Sequence, residues 1–266
     1  MDSVIVIGGG IAGLSAAYRL LDKAQKEQRQ LAITVIEAGD RWGGKITTER
    51  KDGFVIEGGP DTFLSTKPWG VDLCRDLGLE ERLHGTNPAN RNTYVLNSGQ
   101  LRSLPEGLMM MIPTQFAPMV KTSLLTWPEK ARMGLDFFIP AHPLNGDESL
   151  GEFVSRRLGR AAYEKLIEPL MSGIYAGDGD QLSLRSTFPY LRDLELKYGG
   201  LVKGAIAARQ QRMKASPGGS AWKSIFLTPT SGLAAIVEAL EAKLKENHAK
   251  LLLKTRVISI SIGETG

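Results

Sequence analysis

The sequence is short of the side chains from which disulfide frameworks, metal centres and histidine-dependent hydrolases are built. Among its 266 residues there is one cysteine, Cys74, and there are three histidines, His84, His142 and His248. A single cysteine excludes an intramolecular disulfide and any multi-cysteine zinc or iron–sulfur site. The histidines lie far apart, and neither H-E-x-x-H nor G-x-S-x-G occurs, which disfavours zinc and serine hydrolases. We therefore expect that, if the chain is an enzyme, a bound cofactor carries its chemistry.

Long apolar runs and targeting signals are also missing. The longest uncharged, apolar-leaning stretch covers residues 107–120 and is interrupted by Pro113 and Pro118. It falls short of the roughly 20 residues that a membrane-spanning helix needs. The N-terminus has neither a basic segment nor a small-residue cleavage site, so we do not expect a secretory signal. These absences predict a cytoplasmic protein without a membrane span and leave peripheral membrane contact open.

The net charge of +4 is concentrated in one segment. Residues 186–216 contain six Lys and Arg and two Asp and Glu, an excess that equals that of the whole chain. This distribution favours an anionic partner near one segment over general nucleic-acid binding, so no nucleic acid is expected as a partner. A solvated helix face beside a loop is the alternative explanation.

The first forty residues have the pattern of a β-α-β unit. The apolar run at residues 4–7 predicts a buried parallel strand, and a β-branched run at residues 31–36 predicts a second one. Between them, apolar residues recur at helical spacing, namely Leu14, Ala17, Leu21 and Ala24. The unit thus supplies the strand, turn and helix on which a dinucleotide-binding motif depends.

The turn of this unit matches G-x-G-x-x-G through Gly8, Gly10 and Gly13. The first glycine permits the tight turn, the second lets the backbone approach a pyrophosphate, and the third lets the helix pack on the strand. Glu37 ends the second strand, where a carboxylate can accept a hydrogen bond from a ribose hydroxyl and disfavours a 2′-phosphate. Together these residues predict dinucleotide binding; a tight turn that binds nothing is the alternative.

Further glycines follow where a simple nicotinamide domain would have its next crossover helix. Residues 38–45 contain the pair Gly43 and Gly44 flanked by Arg41 and Lys45, and residues 57–61 contain another glycine pair. Repeated glycines suggest backbone that passes close to a longer, flat ligand. Residues 39–45 also fit G-x-x-x-x-G-K, but Ile46 provides no hydroxyl for magnesium and a strand-like run follows, which argues against a P-loop.

The remainder of the chain alternates between hairpin and helix patterns. Helices are expected over residues 150–158 and 161–170, the second ended by Pro169 and Gly173. A periodic helix at residues 233–246 precedes strands at residues 250–253 and 256–262. Residues 216–220, with their Pro, Gly and Ser, have the composition of a mobile loop.

The composite of residues 8–13, Glu37, residues 41–45 and the glycine pair at residues 58–59 resembles the FAD-binding amine-oxidase-like superfamily. Residues 166–178, residues 59–63 and the helix start at residues 149–153 resemble, more narrowly, the protoporphyrinogen/coproporphyrinogen oxidases, especially the soluble Gram-positive bacterial type. The usual arginine after the second glycine pair is Lys45 here, which keeps the charge but loses a bidentate fork. Members of that family are considerably longer, so we expect the chain to correspond to their N-terminal part.

The resemblance implies specific site residues. FAD contacts are expected from the two glycine-rich segments, the end of the second strand and one late position: Gly8, Gly9, Gly10, Ile11, Ala12, Gly13, Glu37, Ala38, Arg41, Gly44, Lys45, Gly59, Pro60, Asp61, Thr62 and Val257. Substrate contacts are expected from Lys67, Arg91, Gly173 and Ile174. For Val257 an ordinary core residue is the alternative, and for Lys67 and Arg91 a solvated surface residue. No residue is predicted to be catalytic or to bind a metal.

The resemblance also implies a fold and an activity. The fold is α/β, with a Rossmann-like FAD-binding domain (residues 1–84 and 216–266) and an inserted, mainly α-helical substrate-binding and membrane-contact domain (residues 85–215). The activity is FAD- and O2-dependent oxidation of coproporphyrinogen III or protoporphyrinogen IX in haem biosynthesis, with release of H2O2. A ferrochelatase-type downstream enzyme is a candidate partner. Another flavin amine oxidase or carotenoid-desaturase-like enzyme, or a non-enzymatic dissociation-inhibitor-like protein, remains an alternative.

Overall fold

The computed structural model describes residues 2–87, 89, 93–105, 108–109, 112–142, 146–215 and 224–261. Arg91 and residues 216–220 lie outside these ranges. The described residues contain twelve strands: β1 Asp2–Ile7, β2 Leu31–Ile36, β3 Thr48–Lys51, β4 Phe54–Glu57, β5 Phe63–Leu64, β6 Leu83–Gly85, β7 Tyr94–Asn97, β8 Gln100–Ser103, β9 Leu108–Met109, β10 Ile112–Pro113, β11 Phe226–Pro229 and β12 Lys250–Leu252.

Eleven α-helices occur in the same ranges. They are α1 Ile11–Lys26, α2 Pro68–Asp76, α3 Phe116–Lys121, α4 Trp127–Gly134, α5 Leu150–Leu158, α6 Arg160–Ala162, α7 Glu168–Tyr175, α8 Leu184–Thr187, α9 Pro189–Tyr198, α10 Leu201–Ala215 and α11 Ala234–Glu246. Two 3₁₀ turns cover Glu80–Arg82 and Leu135–Phe137, and a π-helical turn covers Tyr163–Ile167. None of the helices within the described ranges combines the length and the apolar character that crossing a bilayer requires.

The chain divides into two compact units. Unit 1 comprises Met1–Asn87 and Ala221–Gly266, and unit 2 comprises Pro88–Ser220. In unit 1, β1, β2 and β12 form a parallel sheet in the order β1-β2-β12. Helix α1 buries the four apolar residues that its spacing predicted, and it belongs with α11 and β2 to one apolar core. The β-α-β unit predicted from the sequence is therefore confirmed.

Two expectations for unit 1 are wrong. Residues 255–261 form no strand, although residues 256–262 were predicted to be one, and Ile258 is 94% exposed. A strand is stabilised by hydrogen bonds to a neighbouring strand, and the described residues pair none with this segment. Strand β1 is likewise less buried than its apolar sequence suggested, because it lies at an edge of the sheet; Ile5 is 64% exposed.

Unit 2 is mainly helical in its described residues, with the hairpin β7-β8 and the short pair β9-β10. Its core gathers large apolar residues of α5, of the π-helical turn and of α9, including Phe153, Leu158, Tyr163, Leu166 and Leu191. Helix α5 begins with a capping box, in which Glu152 N–H donates to Ser149 Oγ (3.1 Å) and Ser149 N–H donates to Glu152 Oε2 (2.9 Å).

The predicted helix end at Pro169 and Gly173 is wrong, because the helix continues through both residues. Pro169 lies in the first turn of α7, and the helix continues through Gly173 to Tyr175. The preceding π-helical turn ends at Ile167, and α7 follows at Glu168 without an intervening loop. As a result, Gly173 and Ile174 lie on a helix.

Unit 2 also contains a buried group of charged side chains that the sequence did not reveal. The side chains of Arg157, Asp136 and Glu195 are fully buried. Arg157 Nε donates to Asp136 Oδ1 (2.6 Å), and Arg156 Nη1 donates to Glu195 Oε1 (2.7 Å). Arg192, one of the cations of the basic segment, forms an ion pair with the same Glu195. Glu195 belongs to the same segment, so this pair leaves the segment's excess of four unchanged.

Candidate functional site

The glycine turn between β1 and α1 is built as the motif requires. Gly8 has φ +108°, a conformation that L side chains rarely adopt, and its N–H donates to the carbonyl oxygen of Ile36 (2.8 Å). A Cβ at Gly13 would lie 2.0 Å from the carbonyl oxygen of Gly8, so only glycine fits where α1 meets the turn. The first turn of a helix leaves N–H groups without intrahelical partners, and together with the helix dipole they favour a phosphate.

Glu37 is fixed against this turn at the end of β2. Its Oε2 accepts a hydrogen bond from Gly9 N–H (2.7 Å), and its Oε1 accepts one from Gly39 N–H (2.7 Å). These two bonds, that of Gly39 first, hold the pKa of the carboxyl below its ordinary value, so Glu37 is ionised at neutral pH. A carboxylate has about four acceptor positions, so the oxygens that bind the backbone can also accept from ribose hydroxyls.

The second glycine pair lies beside the first turn. Gly43 N–H donates to the carbonyl oxygen of Gly9 (2.8 Å), and Gly10 forms a parallel bridge with Gly43. Arg41 fixes this loop from within, because its guanidinium donates to the carbonyl oxygens of Gly44 (2.7 Å) and Ile46 (2.9 Å). The sequence suggested Arg41 as a direct contact of the cofactor, whereas in the structure its donors serve the loop. The direct contact stays a prediction.

Sequence reasoning gave no role to Trp42, which packs over the same turn. A Cβ at Gly9 would lie 2.4 Å from the Trp42 ring and 2.9 Å from the Cβ of Glu37. The indole therefore holds the turn and the carboxylate together from one side. A large aromatic residue inside a glycine-rich loop is the signal that could have identified it.

The third glycine segment closes onto Lys45. A Cβ at Gly59 would lie 2.0 Å from the carbonyl oxygen of Lys45, so a side chain is excluded there as well. Gly58 N–H donates to the carbonyl oxygen of Thr47 (2.8 Å). These contacts bring the segment of Pro60, Asp61 and Thr62 beside the second glycine loop.

The three segments enclose a cavity of about 490 Å³ within unit 1. Seven of the predicted cofactor residues line it: Gly10, Ile11, Ala12, Gly44, Lys45, Pro60 and Thr62. Apolar side chains complete the wall, among them Phe63, Leu73, Leu233 and Ile236. The size lies within the range of about 300–1,000 Å³ that is usual for cofactor pockets. Close backbone and a helix N-terminus at the cavity fit the diphosphate of a dinucleotide. Glu37 does not line the cavity but binds Gly9 of the same turn, where its carboxylate fits the ribose.

The other nine predicted cofactor residues do not line this cavity: Gly8, Gly9, Gly13, Glu37, Ala38, Arg41, Gly59, Asp61 and Val257. Ala38 and Asp61 are exposed and do not line it. Val257 is half-buried and follows Thr255, whose N–H donates to the carbonyl oxygen of Glu37 (2.9 Å). The segment that carries Val257 therefore passes the end of β2, where the adenosine half of a dinucleotide would be bound.

The predicted substrate residues belong to both units. Lys67 is exposed at the start of α2 in unit 1. Gly173 and Ile174 lie on α7 in unit 2, where Ile174 is 67% exposed and no heavy atom lies within 4 Å of a Cβ built on Gly173. An open glycine beside an exposed isoleucine leaves room for a flat ligand on this part of α7. Arg91 lies outside the described residues.

The lone cysteine has no sign of a catalytic role. Cys74 is fully buried in α2, and burial raises the pKa of its thiol to about 11. At neutral pH the thiol is protonated, and the thiolate is the reactive form. The structure therefore agrees with chemistry that is carried by a cofactor.

Comparisons with known proteins agree with these features. The model of the "Flavin containing amine oxidoreductase" family matches residues 11–266. A coproporphyrinogen III oxidase of Bacillus subtilis is 43% identical over 262 residues, which are 97% of this chain and 54% of the relative. A chloroplastic protoporphyrinogen oxidase 1 of Spinacia oleracea is 35% identical over 78% of this chain and 35% of its own length.

One solved structure is similar over almost the whole chain. It is a protein from Exiguobacterium sp. 255-15, provisionally assigned as a protoporphyrinogen oxidase, with a TM-score of 0.79 and 38% identity over 99% of this chain and 55% of its own. The chain therefore spans about half the length of the relatives it matches. The resemblance inferred from the glycine segments and residues 166–178 is confirmed: the chain belongs to the flavin-containing amine oxidoreductase family.

Proposed function

We propose that the protein acts in the FAD- and O2-dependent oxidation of a porphyrinogen, with coproporphyrinogen III as its substrate in preference to protoporphyrinogen IX. The single observation that supports the redox part of the proposal is the cavity of unit 1, which seven predicted cofactor residues line and whose glycine turn is held by the ionised Glu37 through Gly9. FAD is the cofactor that the family supports. The choice of substrate is supported by relatives at 43% and 39% identity that are named coproporphyrinogen III oxidases.

A porphyrinogen offers hydrogens on its methylene bridges and loses six electrons on its way to the aromatic porphyrin. When bound, FAD would supply the hydride-accepting and O2-reducing chemistry, so that three two-electron oxidations of the porphyrinogen would use three O2 and release three H2O2. The residues of this chain bind the cofactor and the substrate and orient them. The N–H groups in the first turn of α1 bind the diphosphate, and Glu37 accepts hydrogen bonds from the ribose hydroxyls. Lys67 forms an ion pair with a propionate of the substrate. In this scheme the chain supplies no strong acid or base.

The two units have different roles in this proposal. Unit 1 binds FAD, and its late segment returns to complete the adenosine end near Val257. Unit 2 contributes the substrate surface of α7 around Gly173 and Ile174. Exposed Phe138 and Leu135 of unit 2 support peripheral contact with a membrane. The porphyrin product would then pass to a ferrochelatase-type enzyme.

The alternatives raised by the sequence have less support. Another amine oxidase or carotenoid desaturase would share the cofactor residues. The relatives that match most of this chain at 33% identity or more, however, carry porphyrinogen-oxidase names. A binding protein without redox chemistry would not need the ribose-binding arrangement of Glu37.

The test is an anaerobic titration of the FAD-reconstituted protein with coproporphyrinogen III. The flavin absorbance should bleach on addition of the porphyrinogen and return when O2 is admitted. Coproporphyrin III, the oxidised product, is the control and should cause no bleaching because its bridging carbons are already methines and have no hydride to give. A flavin that stays oxidised in the presence of the porphyrinogen would show that the proposed function is wrong.

A further inference from the structure

The last turn of α7, which carries Gly173 and Ile174, is only weakly supported by its own side chains. Residues 172–176 are all exposed. Tyr175 contacts Phe188 edge-to-face, with 5.2 Å between the ring centroids, and is still 46% exposed. Most of the stability of a helix in a protein comes from packing of one face against a core. The position of this turn therefore depends on the segment that follows it.

The segment after α7 lies against the elements that precede the helix. Ala176 ends α7 with φ +49°, and its N–H donates to the carbonyl oxygen of Ser172 (2.9 Å). The carbonyl oxygen of Gly179 then accepts a hydrogen bond from the N–H of Gly151 (2.9 Å), at the start of α5. A Cβ at Gly179 would lie 2.4 Å from the hydroxyl oxygen of Tyr163. The segment therefore passes directly over the π-helical turn.

Asp180 attaches this segment to α6 through its side chain. Arg160 Nη1 donates to Asp180 Oδ1 and Arg160 Nη2 donates to Asp180 Oδ2, both at 3.0 Å. Two parallel bonds of this kind fix the orientation of the partners as well as their distance. The carboxylate also has little room to move, because a Cβ at Gly151 would lie 1.9 Å from Asp180 Oδ1.

Arg160 has a second carboxylate partner, which allows a comparison within the same side chain. Its Nε donates to Glu164 Oε1 (2.7 Å), four residues along the chain. That pair is local, whereas the pair with Asp180 joins residues 20 positions apart. All three side chains are about half exposed, so neither pair contributes much to the global free energy of unfolding. The pair with Asp180 differs in that it connects α6 to the end of α7.

We propose that Arg160 is a positioning residue, which through Asp180 fixes the end of α7 and with it the substrate surface around Gly173 and Ile174. The proposal rests on the proposed function, which gives this surface to the porphyrinogen. Without the pair, the end of α7 is displaced in part of the molecules, and the apparent affinity for the substrate falls with the fraction that stays in position. One exposed pair changes such an equilibrium by at most about fivefold.

The first measurement is hydrogen exchange, which needs no substrate. Asp180→Asn keeps the shape of the side chain and removes its charge, so the amides at the end of α7, including that of Ala176, should exchange up to about fivefold faster. Glu164→Gln is the matched control, because it removes the charge of the other partner of Arg160, and it should leave exchange at these amides unchanged. Wild-type exchange in Asp180→Asn would overturn the proposal.

The second measurement is steady-state oxidation of coproporphyrinogen III by the FAD-loaded protein. Asp180→Asn and Arg160→Gln should each raise KM about threefold to fivefold and leave kcat nearly unchanged. The double variant should raise KM no further, because both changes remove the same interaction. Arg160→Lys keeps the charge without the fork and should recover part of the loss. Additive effects in the double variant, or an equal rise in Glu164→Gln, would contradict the positioning role.

The outcomes separate this inference from the proposed function. If the wild type oxidises coproporphyrinogen III and Asp180→Asn does so with an unchanged KM, the positioning role is wrong and the proposed function stands. If the wild type does not oxidise the porphyrinogen, the proposed function is wrong and the role of Arg160 toward that substrate is wrong with it. The Kd for FAD is the folding control for unit 1 and should be the same in every variant.

Discussion

Replacing Gly13 with alanine should weaken FAD binding and destabilise unit 1, although alanine is the better helix former. A Cβ at this position would lie 2.0 Å from the carbonyl oxygen of Gly8, whereas real Cβ contacts essentially never fall below 3.0 Å. Either the Gly8 carbonyl or the start of α1 must therefore move by about 1 Å. The partner is a backbone atom, so no side chain can rotate to relieve the overlap.

The size of the effect follows from the displacement. An N–H···O bond spans only about 2.7–3.2 Å, so a shift of this size removes at least one bond between the turn and the diphosphate. A bond to a charged group contributes roughly 1.5–3 kcal/mol, so the Kd for FAD should rise roughly tenfold to a hundredfold. Overpacking costs about 1–3 kcal/mol of unfolding free energy, and the gain from replacing a helical glycine, about 1 kcal/mol, offsets it only in part.

Isothermal titration with FAD and urea unfolding measure the two effects. The matched control is Gly134→Ala in α4, where nothing lies within 4 Å of the added Cβ. That variant should keep the wild-type Kd for FAD and gain a little stability, because only the helix preference of alanine acts there. Wild-type FAD affinity in Gly13→Ala would refute the reasoning.

Two further predictions concern charge. Glu37→Gln should destabilise the protein at neutral pH and not at acidic pH. Because folding lowers the pKa of the Glu37 carboxyl, the carboxylate stabilises the folded state at pH values above its unfolded-state pKa of 4.5. That stabilisation is lost as the pH falls through the lower pKa of the folded state. A Tm difference from the wild type that stays constant down to about pH 3 would contradict this. Arg157→Ala should lower the unfolding free energy by about 3–5 kcal/mol, because it leaves buried Asp136 unpaired. Arg160→Ala, at an exposed arginine, is the control and should change the free energy of unfolding in urea little. If the two variants lose equal stability, the burial of Arg157 is not the cause of its effect.

The local elements of unit 1 were predictable because each depends on a short pattern. Strand β2 was expected over residues 31–36, and the structure gives the same residues. Helix α1 buries the residues that its spacing selected. The strand expected at residues 256–262 failed because a strand depends on its neighbour as well as on its own side chains. A pattern in the sequence does not show whether a neighbour is present.

The site was predictable in its residues and not in its contacts. The motif identified Glu37, but the bond to Gly9 joins residues 28 positions apart and depends on how the turn folds over β2. Arg41 was expected to contact the cofactor, whereas in the structure its guanidinium donates hydrogen bonds to carbonyl oxygens of its own loop. The buried Arg157 gave no signal because a charged residue on an otherwise apolar helix face is identified only by its partners, which come from two other segments.

The partners of each charged residue also decide how much of the net charge of residues 186–216 is available to bind an anion. The excess of four in residues 186–216 suggested an anionic ligand near that segment, but Arg192 also lies 3.8 Å from Glu148, a carboxylate outside the segment that this excess does not count. Lys67 lies outside the segment, and in the described ranges its ammonium is bound by no carboxylate or carbonyl. A paired cation contributes little to binding a second anion, because the desolvated pair is already compensated. Recognition of an anion should therefore depend on lysines that have no ion pair within the described ranges, such as Lys67, Lys197 and Lys203, more than on Arg192.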